Sequence, residues 1–227
     1  MLNGGVGSRF GADKPKQLVR IKQVPMFIYS IRAAIKVPAI ERIVINYPVG
    51  WKEVFRKMIE DYGLGGKVEF VSAGSTRQQS VLNLLESISE GASESVIIHE
   101  AARPLISSED FQNLIEDPHS NVSFGVKIPF TVLQLDESLE FINRNLERDQ
   151  LVNVQLPQKF EMAELIDAHR KAHKDGIEFT EDASLVHHYG GNVKFIKGND
   201  YNIKVTNAVD RNVVEFLMDD EHNGYIE

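Results

Sequence analysis

The sequence predicts one α/β domain built on a mainly parallel sheet, and three observations carry that expectation. Short β-branched runs alternate with amphipathic helical stretches along the whole chain. Its 227 residues are enough to bury a core on both faces of a sheet. No repeat, low-complexity tract or linker-like stretch divides them, so residues 1–227 read as a single unit.

Taken in order, the strands are expected at Arg42–Tyr47, Val68–Ser72, Ser95–His99, Val122–Ile128 and Val193–Lys197. The helices are expected at Met26–Ile35, Trp51–Tyr62, Thr76–Ile88, Ser108–Ile115, Met162–His173, Glu181–His188 and Val209–Met218. Ser75 or Thr76, Ser107 or Ser108, and Thr180 are the natural N-caps, since short oxygen side chains satisfy the first free backbone N–H groups of a helix. Residues 130–158 fit neither period and read as an excursion from the main body.

Composition narrows the function classes. An apolar fraction of 42% and a charged fraction of 26% are ordinary for a globular domain. The chain has no cysteine, which excludes disulfide scaffolds and thiolate metal sites. No apolar run approaches the roughly 18 residues of a membrane span, and no secretory h-region opens the chain. A cytoplasmic protein with no membrane partner is expected. The net charge of −8 disfavours a nucleic-acid partner, which needs a basic face. The charge is uneven, however. Residues 1–22 sum to +4 and the other 205 to −12, a balance that suits a compact polyanion.

The segment Leu2-Asn3-Gly4-Gly5-Val6-Gly7-Ser8-Arg9-Phe10-Gly11-Ala12-Asp13-Lys14-Pro15-Lys16-Gln17 supplies such a site. Glycines without Cβ let backbone N–H groups converge on phosphate oxygens. Arg9 offers a fork of donors, Lys16 a compact charge, and Pro15 fixes the chain just before Lys16. A Walker A string is absent, and the dinucleotide fingerprint fails at Phe10. Only Met1 and Leu2 precede this loop, where a buried apolar strand is normal, so a truncated or mis-started N-terminus is expected.

Gly-Gly-x-Gly-x-Arg with Pro-Lys-Gln resembles the loop of the cytidylyltransferases that act on polyol phosphates, the methylerythritol-phosphate and ribitol-phosphate enzymes. Further motifs follow in family order: His99-Glu100-Ala101-Ala102-Arg103-Pro104, Thr180-Glu181-Asp182-Ala183-Ser184 and Asn202-Ile203-Lys204-Val205-Thr206. The resemblance implies a Rossmann-like three-layer nucleotidyltransferase fold with a protruding β-arm. It implies CMP transfer from CTP to a polyol phosphate, with Mg²⁺ as cofactor and a homodimer as the working unit.

Residue by residue, it places Arg9 and Lys16 on the α-phosphate and Lys204 on the polyol phosphate. Asn3, Gly4, Gly5, Gly7 and Ala101 belong with the nucleotide, and Gly74, Arg77 and Ser80 with the segment over cytosine and ribose. The family's arm delivers an arginine across the dimer, matched here by Arg148, and Thr131 falls at a substrate-phosphate threonine. Glu100 stands where the family has a metal-binding aspartate. Tyr201 replaces a second acid, with Asp200 one residue earlier as its substitute. Tyr201 and Trp51 lean toward the ribitol branch, although Trp51 also suits packing at a helix start.

Two alternatives stand beside this reading. One is a sugar-phosphate nucleotidyltransferase using another nucleotide, and the other is a non-catalytic nucleotide-binding homologue that has lost its metal site. His169 and His173 share a helix face, but with lysines around them and no third ligand the pair reads as a solvated face. His187-His188 reads as a helix end. The Glu181-Asp182 pair serves a helix N-terminus and a functional role equally well.

Overall fold

The computed structural model describes residues 1–4, 15–88 and 95–219. The loop residues Gly5, Gly7 and Arg9 therefore lie outside the described part. A 3-10 turn at Lys16–Leu18 leads into a short antiparallel hairpin, β1 (Arg20–Ile21) and β2 (Val24–Pro25), and then α1 (Met26–Ile35). There follow β3 (Ile43–Tyr47), α2 (Lys52–Asp61), β4 (Val68–Ser72), α3 (Arg77–Ile88), β5 (Ser95–Ile98) and α4 (Ser108–Glu116). Next come β6 (Val122–Lys127), β7 (Val132–Leu135), β8 (Ile142–Leu146) and β9 (Val152–Glu161). The chain continues with α5 (Met162–Asp175), α6 (Asp182–His188), β10 (Lys194–Lys197) and α7 (Ala208–Leu217).

The sheet forms in two halves that the first residues join. β3 and β4 pair in parallel, while β10, β6, β9 and β5 form the other half in that order. Met1 donates to Val44 and accepts from Asn46, the alternating pattern of a parallel neighbour on β3. On its other side Leu2 donates to His99 O at 2.7 Å and accepts from Ala101 N at 3.0 Å, bridging Glu100 in parallel. Met1 and Leu2 thus complete the sheet between β3 and β5.

Apolar residues fall on both faces, giving three layers. Phe27, Ile28 and Ile31 of α1 pack with Phe55 and Ile59 of α2, Phe111 of α4 and the β3 side chains. On the opposite face Val81 and Leu85 of α3 join Leu165 and Ile166 of α5, Leu185 of α6 and Phe160 of β9. A smaller cluster fastens α7 through Val214 to Ile21, Met26, Ala102 and Val205.

Each helix anticipated from periodicity lies within two residues of its expected ends, and α1 coincides with it. Ser107 caps α4 through a reciprocal capping box with Asp110, as its sequence suggests. Thr180 does not cap α6. Glu181 does, accepting from Ala183 N and Ser184 N, because its longer carboxylate reaches both free donors. Trp51 sits at the start of α2 and packs against the first core cluster, the packing role anticipated for it.

β9 is the principal correction. The region set aside as an excursion ends earlier than 158, since Val152–Gln158 belong to the central sheet, antiparallel to both β5 and β6. Pro157 and the buried polar residues Gln155, Gln158 and Lys159 hid this strand, because a proline without an N–H argues against a central position. The structure resolves the conflict by a bulge. Ser123 faces Gln158 and Phe124 faces Gln155, so Leu156 and Pro157 stand outside the ladder. What remains of the excursion is the β7–β8 hairpin.

Phe160 of β9 is fully buried within the second core cluster. Phe160→Ala is expected to lower the unfolding free energy by about 3–5 kcal/mol, read from urea denaturation. A loss under about 1 kcal/mol, the scale of ordinary surface changes, would remove β9 from the core.

Candidate active site

Open parallel sheets bind ligands outside the C-terminal ends of their strands, and the motif residues gather there. Asn3 is fully buried, with its backbone N–H donating to the Asn46 side chain at the edge of β3. Gly4 follows in a space that allows no side chain, since a Cβ there would lie 2.5 Å from that of Ala73. Ala101, also fully buried, is the residue that hydrogen-bonds Leu2. Lys16 opens the 3-10 turn after Pro15, and its Nζ donates to Val205 O at 3.1 Å. Val205 N in turn donates to Ala102 O at 2.8 Å, so Val205 links Lys16 to the turn after β5.

Glu100 is the centre of the charge arrangement. Its Oε2 lies 2.7 Å from Lys204 Nζ and 4.0 Å from Arg103 Nε, and its Oε1 lies 3.7 Å from Arg77 Nε. Burial opposes its ionisation, but Lys204, Arg77 and Arg103 outweigh that and hold its carboxyl below the usual carboxylate range. A plain surface acid would be solvated; this side chain is 12% exposed. Arg103 is fixed by donating from Nη1 to Asn202 O at 2.7 Å, and Asn202 Nδ2 donates to Leu156 O. The Asn202–Thr206 segment is thereby tied to the bulge of β9.

The Gly74–Ser80 segment forms the turn into α3. Gly74 N donates to Ser80 Oγ at 3.0 Å, and Ser80 Oγ donates to Thr76 O at 2.8 Å. A Cβ on Gly74 would come within 2.8 Å of three Gln79 atoms, so only glycine permits this close turn. Arg77 leaves the turn toward Glu100 and also pairs through Nη2 with Asp182 Oδ2 at 2.7 Å.

The structure brings Arg77, Arg103 and Lys204 around Glu100, and Lys16 touches the same downstream segment one residue on, at the Val205 carbonyl. It does not bring Thr131 and Arg148 there: both are exposed beside the β7–β8 hairpin, where Arg148 Nη1 donates to Pro129 O. Asp200 is exposed and forms no ion pair with these cations among the described residues.

Two buried residues beside this cluster, His169 and Asp182, are placed differently from the sequence expectation. His169 is 1% exposed, not solvated, and its Nε2 donates to Asp182 Oδ1 at 3.0 Å. The signal was its spacing, for it continues the buried stripe of Leu165, Ile166 and Ala172 along α5, while His173 points outward. Asp182 is likewise 1% exposed and belongs to Arg77, whereas its neighbour Glu181 is the cap. His187 and His188 do end α6.

An apolar cavity of about 210 Å³ lies beneath Met1, lined by Ile43, Val44, Leu85, Ile97 and Phe111. It opens at the N-terminal ends of β3 and β5, away from the charged residues.

Burial raises the Asp182 carboxyl, but Arg77 and the hydrogen bond from His169 outweigh it and hold the group below the usual aspartate range. A lowered folded value stabilises the fold above the unfolded aspartate pKa of about 3.9, and that contribution fades as pH falls through the folded value. Thermal melts between about pH 5 and pH 3 should therefore show a steeper loss for wild type than for Asp182→Asn. Parallel acid limbs would mean that Asp182 is not ionised in the fold.

A family model described as IspD, 2-C-methyl-D-erythritol 4-phosphate cytidylyltransferase, matches residues 1–220. The enzyme of that name from Bacillus cytotoxicus is 34% identical over 216 residues, 94% of each chain. The chloroplastic 2-C-methyl-D-erythritol 4-phosphate cytidylyltransferase of Oryza sativa subsp. japonica is 33% identical over 223 residues, 97% of this chain and 74% of that one. In fold, the crystal structure of 4-diphosphocytidyl-2C-methyl-D-erythritol synthase from Anaerococcus prevotii superposes with a TM-score of 0.84 at 21% identity. It covers 96% of this chain and 93% of that chain. These likenesses give no support to the lean toward ribitol. The chain belongs to the 2-C-methyl-D-erythritol 4-phosphate cytidylyltransferase family.

Proposed function

We propose that this protein transfers a cytidylyl group from CTP to 2-C-methyl-D-erythritol 4-phosphate and releases pyrophosphate. The observation that supports the reading is that one segment carries both contacts, Lys204 pairing with Glu100 and Val205 O accepting from Lys16, in a chain of this family. An oxygen of the acceptor phosphate attacks the α-phosphorus of CTP as the bond to the β-phosphate oxygen breaks. The product is a CDP-alcohol.

Negative charge on the reacting phosphorus dominates such a barrier, so preorganised cations give the largest stabilisation. Lys16 and Arg9 take that role, and Lys204 receives the acceptor phosphate. Lys204 reaches Glu100 at 2.7 Å, which puts acceptor and nucleotide sides of the site in contact. Asn3, Gly4, Gly5, Gly7 and Ala101 line the nucleotide, and Gly74, Arg77 and Ser80 shape the turn on its base side.

Glu100 fits Mg²⁺. The ion commonly takes one or two carboxylates, with phosphate oxygens and water in its remaining positions, and Glu100 is a buried, ionised carboxylate at the mouth of the site. When bound there, Mg²⁺ would neutralise phosphate charge.

The β7–β8 hairpin is the dimerisation arm of this proposal. It exposes Phe141 at 68% and Ile142 at 65%, an apolar surface that a second copy would cover. Arg148 and Thr131 then act on the partner's acceptor phosphate. Cytoplasmic residence is part of the same reading; among the described residues no helix is long and apolar enough to cross a membrane.

Pyrophosphate release should require CTP over UTP, ATP and GTP, and methylerythritol phosphate over ribitol 5-phosphate. Turnover with UTP or with ribitol phosphate at equal rate would overturn the assignment. Lys16→Ala is expected to lower kcat by about 10²–10³ with a smaller change in CTP affinity, because its charge matches the transition state. Sedimentation velocity should give a dimer that Ile142→Asp converts to an inactive monomer. A fully active monomer would remove Arg148 and Thr131 from the site.

A further inference from the structure

Among the described residues, Arg77 is the one cation of the Glu100 cluster that is shared with a second carboxylate. Its Nη2 lies 2.7 Å from Asp182 Oδ2, while its Nε stays 3.7 Å from Glu100 Oε1. Asp182 is held on its other oxygen by His169 Nε2 at 3.0 Å. Three helices thus meet at one buried carboxylate: α3 through Arg77, α5 through His169 and α6 through Asp182 itself. The scaffold around them is fixed by the residue next to Arg77. Gln78 accepts from Phe179 N at 2.7 Å and donates to Ile177 O at 3.1 Å, fastening the first turn of α3 to the segment that leads into α6.

The geometry points to Asp182 as a positioning residue for nucleotide binding, with His169 as its support. The buried carboxylate draws the Arg77 guanidinium toward α6 and keeps it from closing on Glu100. Glu100 is then left facing Lys204. Without Asp182, Glu100 is the one carboxylate within ion-pair distance of Arg77 among the described residues, Glu181 acting on it electrostatically without an ion pair, and a bidentate pair with Glu100 is the strong alternative. That pair would occupy the carboxylate proposed for the metal and pull Arg77 off the turn beneath the base. The inference rests on the proposed CTP-dependent reaction, and its own content is the dependence of Arg77 on Asp182.

A double-mutant cycle tests it. CTP affinity with Mg²⁺ is measured by equilibrium dialysis for wild type, Asp182→Asn, Arg77→Ala and the double variant. Asp182→Asn should weaken CTP binding about tenfold, and the same change on the Arg77→Ala background should add less than about twofold. KM for the acceptor phosphate should stay within about twofold of wild type, since Lys204 is untouched.

His169→Leu should reproduce the Asp182→Asn effect. His169→Gln, which keeps a donor toward Asp182, should restore most of the affinity. If Asp182→Asn does not fold, the His169 pair carries the same cycle on Arg77→Ala. Additive losses in the cycle, or His169→Gln behaving as His169→Leu does, would overturn the inference. Wild-type protein that fails to bind CTP would overturn the functional reading and this inference with it.

Discussion

Burying a carboxylate is unfavourable unless its charge is matched, and the site is organised around that constraint at Glu100. Glu100 lies two residues beyond β5 and itself pairs with Leu2, so its backbone is set by the sheet. The three cations that hold its side chain come from the start of α3, from the turn after β5 and from the segment before α7. None of these segments neighbours the others in sequence, except Arg103. Matching one charge therefore specifies where three loops must sit. Glutamate at position 100, where the resemblance implies an aspartate, carries the carboxylate one methylene further into this group of cations.

The same segments are tied a second time through the backbone. Val205 joins Lys16 on one side and Ala102 on the other, and Asn202 joins Arg103 to the bulge of β9. The bulge that admits Pro157 thus also presents the Leu156 carbonyl that receives Asn202. A local irregularity in the sheet supports the loop that carries Lys204.

Much of this was legible in the sequence. The helices were, because apolar residues at a 3.6 spacing are local information, and the five strands outside β9 and the hairpins followed from β-branched runs. Ordered motifs pointed to the polyol-phosphate enzymes, and the family match bears that out; residues 5–14 of the glycine loop lie outside the described part. What escaped depends on tertiary context. β9 buries Gln155, Gln158 and Lys159, whose cost is met only by partners on other elements: Gln155 donates to Asn199, and Lys159 to Asp117. His169 resembled a solvated histidine because its partner Asp182 is thirteen residues away and on another helix. Thr180 was the better cap by residue type, yet Glu181 has the reach. The pentitol lean rested on Tyr201 and Trp51, of which Trp51 is a packing residue.

The central claim is that nucleotide phosphates and the metal meet beside Glu100, between the loop lysine and Lys204. A crystal structure of the protein with CTP and Mg²⁺ tests it most directly. The account predicts density for the metal on Glu100 and the α-phosphate within hydrogen-bonding reach of Lys16 and Arg9. A triphosphate bound away from Glu100, with the Lys204 and Arg77 contacts to that carboxylate unchanged, would contradict it.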